Sequence, residues 1–354
     1  MTGLAINGRY LTQGMTGVQR FATEIVAAAD RGAWPAARLL HPSGARDAGL
    51  ARFRTEAIGN RSGQAWEQID LPRALRGDFL FNLGNTAPVL AGRRQAVVIH
   101  DAGAFDTPES YSFAFRSWYR LLQKRLARAG ALVLTVSEFS RGRIAAALGL
   151  DPAAIGIVPE GGEHILRIPG DATVLARHGL APARYALVVG NPAAHKNLAA
   201  LTAAATTLGA RGLTLAVAGA ADPAVFRAGG GVAEGAARLL GRVSDAELRT
   251  LYANALCLIF PSRYEGFGLP PLEAMTCGCP VIAAHAGAVP EVCADAALWF
   301  DPAAPASLTE ALERLLDEAG LRDGLREAGL ARAARFTWDS AAAALFALIR
   351  DRLA

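Results

Sequence analysis

The chain has 354 residues, of which 52% are hydrophobic and 19% charged, with 37 glycines. This composition excludes an intrinsically disordered protein, and the length predicts two globular domains. The formal net charge of +4 suits an anionic substrate or a membrane surface and is too small to indicate nucleic-acid binding. The four cysteines lack the spacing of a zinc site, no apolar run is long enough to span a membrane, and the first residues do not show the basic region and long apolar run typical of a signal peptide. We therefore expect reduced thiols and a cytoplasmic protein.

Short apolar runs alternate with helical stretches along the chain, which is typical of βαβ units and parallel sheets. In the first half the predicted strands are 4–7, 39–41, 79–82, 96–100, 132–136 and 155–158. In the second half they are 186–190, 214–218, 239–240, 257–260, 281–283 and 297–300. Residues 159–164, with the polar stretch up to Gly170, separate the two sets and are interpreted as the linker. Two Rossmann-like domains are expected, over residues 1–165 and 166–337.

Two glycine- or polar-rich loops follow strands in the first half. The loop over residues 7–20 leads from a strand into a helix, so it offers backbone N–H groups at a helix start, although it could also simply turn the chain. His100 and Asp101 stand at the carboxyl end of the strand 96–100, where open α/β sheets bind ligands. A histidine in that place can equally be structural.

A basic stripe at i, i+4 spacing occupies the predicted helix near residue 120, and consists of Arg116, Arg120, Lys124 and Arg128. Aromatic and aliphatic residues, Phe113, Trp118 and Leu121 among them, alternate with it. Such a helix suits an anionic lipid surface, but a solvated helix face would look the same.

Two further loops, in the second half, carry the strongest chemical signals. Lys196 follows the strand 186–190 and a tight loop and is expected to open a helix, where a point charge would stabilise a diphosphate leaving group. Glu265 and Glu273 stand eight positions apart, on either side of a Gly/Pro-rich turn between a strand and a helix start. The turn offers N–H groups to a phosphate, while the two carboxylates can meet a sugar and a ribose. This segment predicts a site for a sugar attached to a nucleoside diphosphate.

The string Pro-Ser-Arg-Tyr-Glu-Gly-Phe-Gly-Leu-Pro from Pro261, continued by Glu273 and by Cys-Gly-Cys-Pro-Val-Ile-Ala from Cys277, resembles the E-x7-E signature of retaining GT-B glycosyltransferases of family 4. Thr-Gly-Val-Gln-Arg from Thr16 resembles a subgroup that assembles bacterial polysaccharides. The resemblance implies an α/β GT-B fold in which two Rossmann-like parallel-sheet domains face each other across a cleft. It also implies that the first domain takes the acceptor together with the last helix, 338–354, and that the second binds the donor.

The resemblance also implies roles for individual residues. Glu265 would contact the donor sugar, Glu273 the ribose and Val243 the base. Lys196 and His100 would act at the reacting centre. Asp101 would position His100 or bind an acceptor hydroxyl. The remaining donor-site candidates lie in the glycine loops and beside Lys196: Gly17, Asn191, His195, Gly266, Phe267, Gly268 and Leu269. Arg9 and Arg20 are candidates for diphosphate groups on donor or acceptor, and Arg116, Arg120 and Lys124 for the membrane side. The chain departs from the family at His195, where an arginine is frequent, and at Glu160, where Pro-Asn-Gly is usual.

We therefore expect a retaining hexosyltransferase of polysaccharide assembly that needs no metal or other cofactor, since no Asp-x-Asp occurs in the chain. GDP-mannose is the favoured donor and a UDP-hexose the alternative. The expected acceptor is a glycan, carried on a polyprenyl diphosphate or a lipopolysaccharide core, with peripheral contact at the inner face of the cytoplasmic membrane and no nucleic-acid partner. Front-face attack is expected, with Glu265 as a covalent nucleophile the lesser alternative. An epimerase or an inactive nucleotide-binding relative are the competing interpretations.

Overall fold

The computed structural model describes residues 3–32, 34–190, 194–197, 200–219 and 237–353. The chain forms two compact units. The first consists of Met1–Glu160 together with Thr337–Ala354, and the second of Gly161–Phe336.

Each unit is built on a parallel sheet, and within the described residues the two sheets have seven and six strands. The strands of the first sheet are β1 Leu4–Asn7, β2 Ala37–His41, β3 Arg54–Ala57, β4 Phe79–Asn82, β5 Gln95–Val98, β6 Leu132–Thr135 and β7 Gly156–Ile157. Those of the second are β8 Tyr185–Val189, β9 Thr214–Ala218, β10 Ala237–Gly241, β11 Cys257–Phe260, β12 Val281–Ala284 and β13 Ala297–Phe300.

Crossover connections join the parallel strands, and most of those in the described residues contain a helix. The α-helices of the described residues are α1 Gly17–Arg31, α2 Gly63–Ala65, α3 Leu71–Arg73, α4 Gly103–Asp106, α5 Phe113–Arg128, α6 Glu138–Leu148, α7 Thr173–Arg177, α8 Leu201–Ala210, α9 Asp245–Asn254, α10 Leu269–Thr276, α11 Val289–Cys293, α12 Pro305–Asp317, α13 Leu321–Ala333 and α14 Trp338–Leu353. None of the helices in this part of the chain is both long and apolar enough to cross a bilayer.

The strand order places a topological switch point in each sheet. The orders are β3-β2-β1-β4-β5-β6-β7 and β10-β9-β8-β11-β12-β13, and every pair is parallel. The direction of winding reverses between β1 and β4 and between β8 and β11, which leaves a crevice beyond the carboxyl ends of those strands. The α/β, parallel-sheet fold class is therefore confirmed, and the loops after these four strands are where ligands are expected.

The final helix α14 belongs to the first unit. Trp338 is fully buried, and its ring lies 6.0 Å from that of Phe21 on α1. The indole N–H of Trp34 donates to the carbonyl of Ala342 at 3.1 Å. These contacts bury one face of α14 against the start of the chain, although more than 300 residues separate the two in sequence.

Among the differences between the structure and the sequence-based prediction, three concern the sheet edge and the candidate site residues. Strand β3 was not predicted, because its residues Arg-Thr-Glu-Ala form an exposed sheet edge without an apolar pattern. His100 lies beyond the end of β5 at Val98, so it is a loop residue and not a strand residue. Lys196 ends a short 3-10 turn, Ala194–Lys196, whereas it was expected to open a helix.

Candidate active site

The clearest cluster of predicted residues lies in the second unit, beyond the switch point of its sheet. Lys196 follows β8 and Glu265 follows β11, and the two strands are neighbours, so their loops meet. The Nζ of Lys196 lies 2.5 Å from Oε1 of Glu265, with both side chains about one-sixth exposed. The same ammonium stands 5.5 Å from the centre of the Phe260 ring. A cation and a carboxylate thus share a sheltered position that is still open to a ligand.

The backbone of Glu265 is held by the loop after β12. The N–H of Ala288 donates to the carbonyl of Glu265 at 3.1 Å. Gly287, with φ +62°, approaches so closely that a Cβ there would lie 2.7 Å from the Glu265 nitrogen. Only glycine fits this position, since a side chain would have to occupy the space of the Glu265 backbone.

The glycine turn after Glu265 leads into α10 as expected. Gly268 adopts φ +110° at the N-cap, which places Leu269 at the first helical position. Pro270 and Pro271 follow and carry no N–H, so the amides available to an anion are those of Gly268 and Leu269 and of the turn before them. Phe267 is buried, with its ring 5.9 Å from that of Phe336.

Glu273 lies inside the unit, on the buried side of α10, and its carboxylate has two identified partners. The Nε2 of His164 lies 2.9 Å from Oε1, and the hydroxyl of Tyr252 donates to Oε2 at 3.0 Å. Burial, followed by the negative charge of Glu273, raises the pKa of Tyr252 well above its usual value, so the phenol keeps its proton. Only 6% of Glu273 is exposed, so any ligand would reach the edge of the carboxylate alone.

The other predicted donor residues of this unit lie at loop positions after strands. The carbonyl of His195 accepts the N–H of Arg263 at 2.8 Å, which ties the Lys196 loop to the Glu265 loop. Val243 is half-buried in the loop between β10 and α9. That helix is capped by Ser244, which exchanges hydrogen bonds with Glu247. Asn191 lies outside the described residues.

In the first unit, His100 is 95% buried and both ring nitrogens face acceptors. Its Nε2 lies 3.0 Å from the carbonyl of Leu83, so that nitrogen carries the proton. Its Nδ1 lies 3.6 Å from Oε1 of Glu160. The backbone N–H of His100 donates to Oδ1 of Asn85 at 2.7 Å, and the ring meets Phe21 edge-on at 4.8 Å. The histidine is therefore held rigidly at the carboxyl edge of the sheet.

Asp101 shapes the turn after His100. Its Oδ1 accepts the N–H of Gly103 at 2.6 Å, a local bond typical of an Asp at the start of a turn. The side chain is half-buried, and a contact to an acceptor hydroxyl stays a prediction.

Arg9 lies in a buried polar network and not on an open surface. Its Nε donates to Oε1 of Glu67 at 3.0 Å and its Nη2 to the hydroxyl of Thr86 at 2.8 Å. Asn7 donates to the same Glu67 oxygen and to Asn82. Glu67 neutralises the charge of Arg9. A contact of Arg9 with a diphosphate stays a prediction, and in it the guanidinium would bind the phosphate and the network at the same time.

The remaining residues of the first glycine loop lie at the start of α1. Gly17 is exposed, and nothing stands within 4 Å of the place where a Cβ would be. Arg20 is largely buried, and its Nη1 lies 3.8 Å from Oε1 of Glu24 one turn later. Neither observation tests the predicted phosphate contacts.

Several basic residues of α5 contact the turns that precede the helix, and a membrane contact of this helix stays a prediction. Arg116 donates to the carbonyl of Pro108, Arg120 donates to that of Ala104, and both Arg120 and Lys124 lie over the Phe105 ring. Three of the four stripe residues are therefore directed toward the preceding turns, because the carbonyls and the aromatic face there attract cations, whereas Arg128 is exposed. The exposed large apolar side chains of α5 are Phe113, Phe115, Trp118 and Leu121, and its exposed basic side chains are Lys124, Arg125 and Arg128.

All four cysteines are free thiols, as the sequence predicted. Burial raises the pKa of Cys257, Cys277 and Cys293 to about 12 each, so these thiols are not reactive at neutral pH. Within the ranges that the structure describes, no three His, Cys, Asp or Glu side chains group in a way that could hold a metal ion.

Sequence reasoning missed three residues that contact the predicted site. Glu160 was treated as a detail of the linker, yet it faces His100. His164 was assigned only to the linker and Tyr252 was not singled out, yet both contact Glu273. A signal existed for Glu160, which replaces the asparagine usual in the family.

Comparison with known proteins gives one family. Residues 177–332 match the family described as glycosyl transferases group 1. The O-antigen chain mannosyltransferase B of Escherichia coli is 32% identical over 290 residues, which cover 78% of this chain and 74% of that protein. The MMP alpha-(1->4)-mannosyltransferase of Mycolicibacterium hassiacum is 32% identical over 255 residues, which cover 68% of this chain and 59% of that protein.

Among solved structures, sucrose-phosphate synthase from Thermosynechococcus elongatus has the same fold, with a TM-score of 0.74 and 17% identity over 99% of both chains. From the identity to the Escherichia coli relative over most of both proteins, together with the family match, we conclude that this chain belongs to the group 1 glycosyl transferases and is a glycosyltransferase of the GT-B fold.

Proposed function

We propose that the chain is a retaining, metal-independent hexosyltransferase that transfers mannose from GDP-mannose to a glycan during polysaccharide assembly. The observation that carries the proposal is the contact between Lys196 and Glu265 beyond the switch point of the second sheet. It joins a cation suited to a diphosphate with a carboxylate suited to sugar hydroxyls. Both relatives described above are named as mannosyltransferases, and the name of the first refers to O-antigen chains, which supports mannose and a polysaccharide product.

Donor binding is assigned to the unit Gly161–Phe336. An ammonium has three N–H donors, so Lys196 can keep its bond to Glu265 and still donate to a phosphate oxygen. The other Glu265 oxygen is then able to accept from a sugar hydroxyl. The amides of the turn 266–269 would meet the diphosphate, Glu273 the ribose and Val243 the base. Asn191 and His195 remain candidates beside Lys196.

The transfer step needs no group beyond the two substrates and these residues. The acceptor oxygen bonds to the anomeric carbon on the face from which the diphosphate departs, and the carbon–oxygen bond to the diphosphate breaks with both electrons going to that oxygen. The proton of the acceptor hydroxyl passes to a phosphate oxygen. Lys196 stabilises the charge that develops on the leaving group, and this work is what a divalent cation would otherwise supply.

Acceptor binding is assigned to the unit that contains His100, Asp101 and the loop after β1. His100 has its ring plane fixed by Leu83, Phe21 and Glu160, so it can orient a sugar without first losing conformational freedom. Arg9, Arg20 and Gly17 are candidates for the diphosphate of a donor or of a lipid-linked acceptor.

A polyprenyl-linked acceptor would bring the enzyme to the inner face of the cytoplasmic membrane. Helix α5 supports this, since Phe113 is 74% exposed and Leu121 is 48% exposed beside Arg125 and Arg128. The helix contains no acidic residue. Apolar side chains among cations suit the headgroup region of an anionic bilayer.

The donor is tested by incubating the protein with GDP-mannose, UDP-glucose or UDP-GlcNAc in EDTA. We expect GDP-mannose alone to raise the melting temperature, to hydrolyse slowly and to mannosylate a short mannoside with retained anomeric configuration by proton NMR. Glu273→Gln should abolish the thermal shift, whereas the exposed Leu330→Ala should not. A requirement for Mg²⁺, an inverted product or turnover of a UDP-hexose would each contradict one part of the proposal.

Membrane contact is tested by sedimentation with vesicles of phosphatidylglycerol or of phosphatidylcholine. We expect binding to the anionic vesicles that falls with salt and is weakened in Leu121→Ala and Arg125→Gln, with Leu330→Ala as the control. Equal binding to both vesicle types, or no effect of either substitution, would contradict docking through α5.

A further inference from the structure

The carboxylate of Glu273 is held from two sides by residues outside the E-x7-E segment. His164 contacts Oε1 at 2.9 Å and Tyr252 donates to Oε2 at 3.0 Å. Since a carboxylate only accepts, the Nε2 of His164 is the donor in the first contact. An ionised carboxylate has about four lone-pair sites, and these two bonds occupy two of them. The remaining sites are free for the two hydroxyls of a ribose.

The position of His164 is itself fixed by the surrounding fold. It lies on the 3-10 helix Glu163–Arg167, immediately after the boundary between the two units, and is 2% exposed. Gly162 packs directly on α10, because a Cβ there would lie 2.5 Å from the hydroxyl of Thr276. Arg249 donates to the carbonyl of Leu166 at 3.0 Å from the other side. The imidazole is therefore carried to Glu273 by a rigid turn.

Tyr252 completes the arrangement from helix α9. The side chain is fully buried, and the elevated pKa of its phenol keeps it a hydrogen-bond donor over the whole working pH range. With one donor on each oxygen, the carboxylate of Glu273 can neither rotate nor withdraw. An unheld glutamate at the start of a helix would sample several rotamers, and a ribose would have to select one of them.

We propose that His164 and Tyr252 are positioning residues that orient Glu273 toward the 2′- and 3′-hydroxyls of the donor ribose, so that ribose recognition depends on a residue of the segment joining the two units. The inference rests on the proposed function, in which Glu273 binds the ribose. It goes further by assigning the discrimination between ribose and deoxyribose to the pair that holds Glu273.

The experiment compares two ligands on each protein, GDP and 2′,3′-dideoxy-GDP, by calorimetry; the matching UDP pair replaces them if UDP binds the wild type more tightly. We expect the wild type to bind the ribonucleotide about tenfold more tightly, the value of one or two hydrogen bonds. His164→Ala and Tyr252→Phe should reduce this ratio to about two. Because both ligands meet the same preparation, any unfolded fraction cancels from the ratio.

Two further variants separate positioning from general structure. His164→Gln places an amide N–H near the former Nε2 and should restore most of the ratio, while Leu166→Ala, an exposed change on the same turn, should keep the wild-type ratio. An unchanged ratio in His164→Ala, with a collapsed ratio in Glu273→Gln, would overturn the positioning role alone. A wild-type ratio near one, or no effect of Glu273→Gln, would instead contradict the ribose role of Glu273 in the proposed function.

Discussion

Replacing Gly287 by alanine should damage catalysis through the backbone of Glu265. A Cβ on Gly287 would lie 2.7 Å from the nitrogen and 2.9 Å from the carbonyl oxygen of Glu265. Ordinary van der Waals contact begins at 3.4 Å, so one segment must move by about 0.7 Å, the difference between 3.4 and 2.7. The Ala288 bond to the Glu265 carbonyl ties the two segments together, so the shift reaches the active carboxylate.

The magnitude has two parts that can be measured separately. Alanine at φ +62° is strained by about 1–2 kcal/mol, which lowers the free energy of unfolding. A displacement of about 1 Å in a reacting group can cost about a hundredfold in rate, so a shift of this size should lower kcat by about tenfold or more. Gly320→Ala is the matched control, since Gly320 also has a positive φ, +81°, but nothing within 4 Å of its Cβ position.

The assay is the turnover of sugar nucleotide by wild type, Gly287→Ala and Gly320→Ala, with urea unfolding of each. We expect similar losses of stability from the shared strain and a loss of kcat in Gly287→Ala only. Full activity in Gly287→Ala would refute the reasoning, because it would mean that Glu265 has no catalytic part or that the loop yields without moving it. An equal loss of activity in both variants would attribute the effect to strain alone.

Three other substitutions probe separate features. Lys196→Met should lower kcat by about a hundredfold at nearly unchanged stability, because the developing charge on the diphosphate loses its cation. Glu160→Gln should lower kcat by about fivefold and leave nucleotide affinity unchanged, since it removes the charge 3.6 Å from His100. Asp30→Asn should lower the free energy of unfolding by about 2 kcal/mol at pH 7. Burial raises the pKa of Asp30, but the hydrogen bonds from the N–H groups of residues 51–53 outweigh burial and lower the pKa overall. The stabilisation by Asp30 is therefore present above the pKa of the unfolded state and is lost as the pH falls through the pKa of the folded state.

Each of these has a matched control and a contradicting result. Lys124→Met changes the only other lysine of the chain and should keep the turnover of free donor, so an equal loss would exclude a special role for Lys196. Glu163 lies on the same segment as Glu160, and Glu163→Gln should leave kcat unchanged. A loss of nucleotide affinity in Glu160→Gln would mean that Glu160 acts on nucleotide binding and not through His100. Asp47→Asn, on the surface, should leave acid unfolding unchanged, and a wild-type acid profile in Asp30→Asn would refute the assignment.

The alternating apolar runs predicted the fold closely. Strands β1, β4, β9, β11 and β13 have the predicted bounds, because a strand buried on both faces must be apolar throughout. Strand β3 escaped prediction, since an exposed edge strand requires no apolar pattern. Ser137 and Ser244 cap α6 and α9, and serine is among the residue types preferred at a helix N-cap.

The candidate site was less predictable, because its contacts join residues far apart in sequence. The motif around Glu265 was visible, but its contact with Lys196 follows only from the strand order, which brings the ends of β8 and β11 together. The ion pair of Arg9 with Glu67 crosses 58 positions and could not be found by local spacing. The partners of Glu273 were hidden for the same reason, since His164 is 109 positions away.

The short segment between the two units has a consequence for making hybrid enzymes. Glu160 contacts a residue of the first unit and His164, four positions later, contacts one of the second. A chimera that exchanges the donor half between relatives, joined between Glu160 and Gly161, would therefore keep each of these side chains with its native partner. A junction after His164 would keep the native His164 but bring in the foreign counterpart of Glu273. The two partners of this contact would then come from different proteins. The choice of crossover point, more than the identity of the exchanged half, should decide whether such hybrids retain sugar-nucleotide binding.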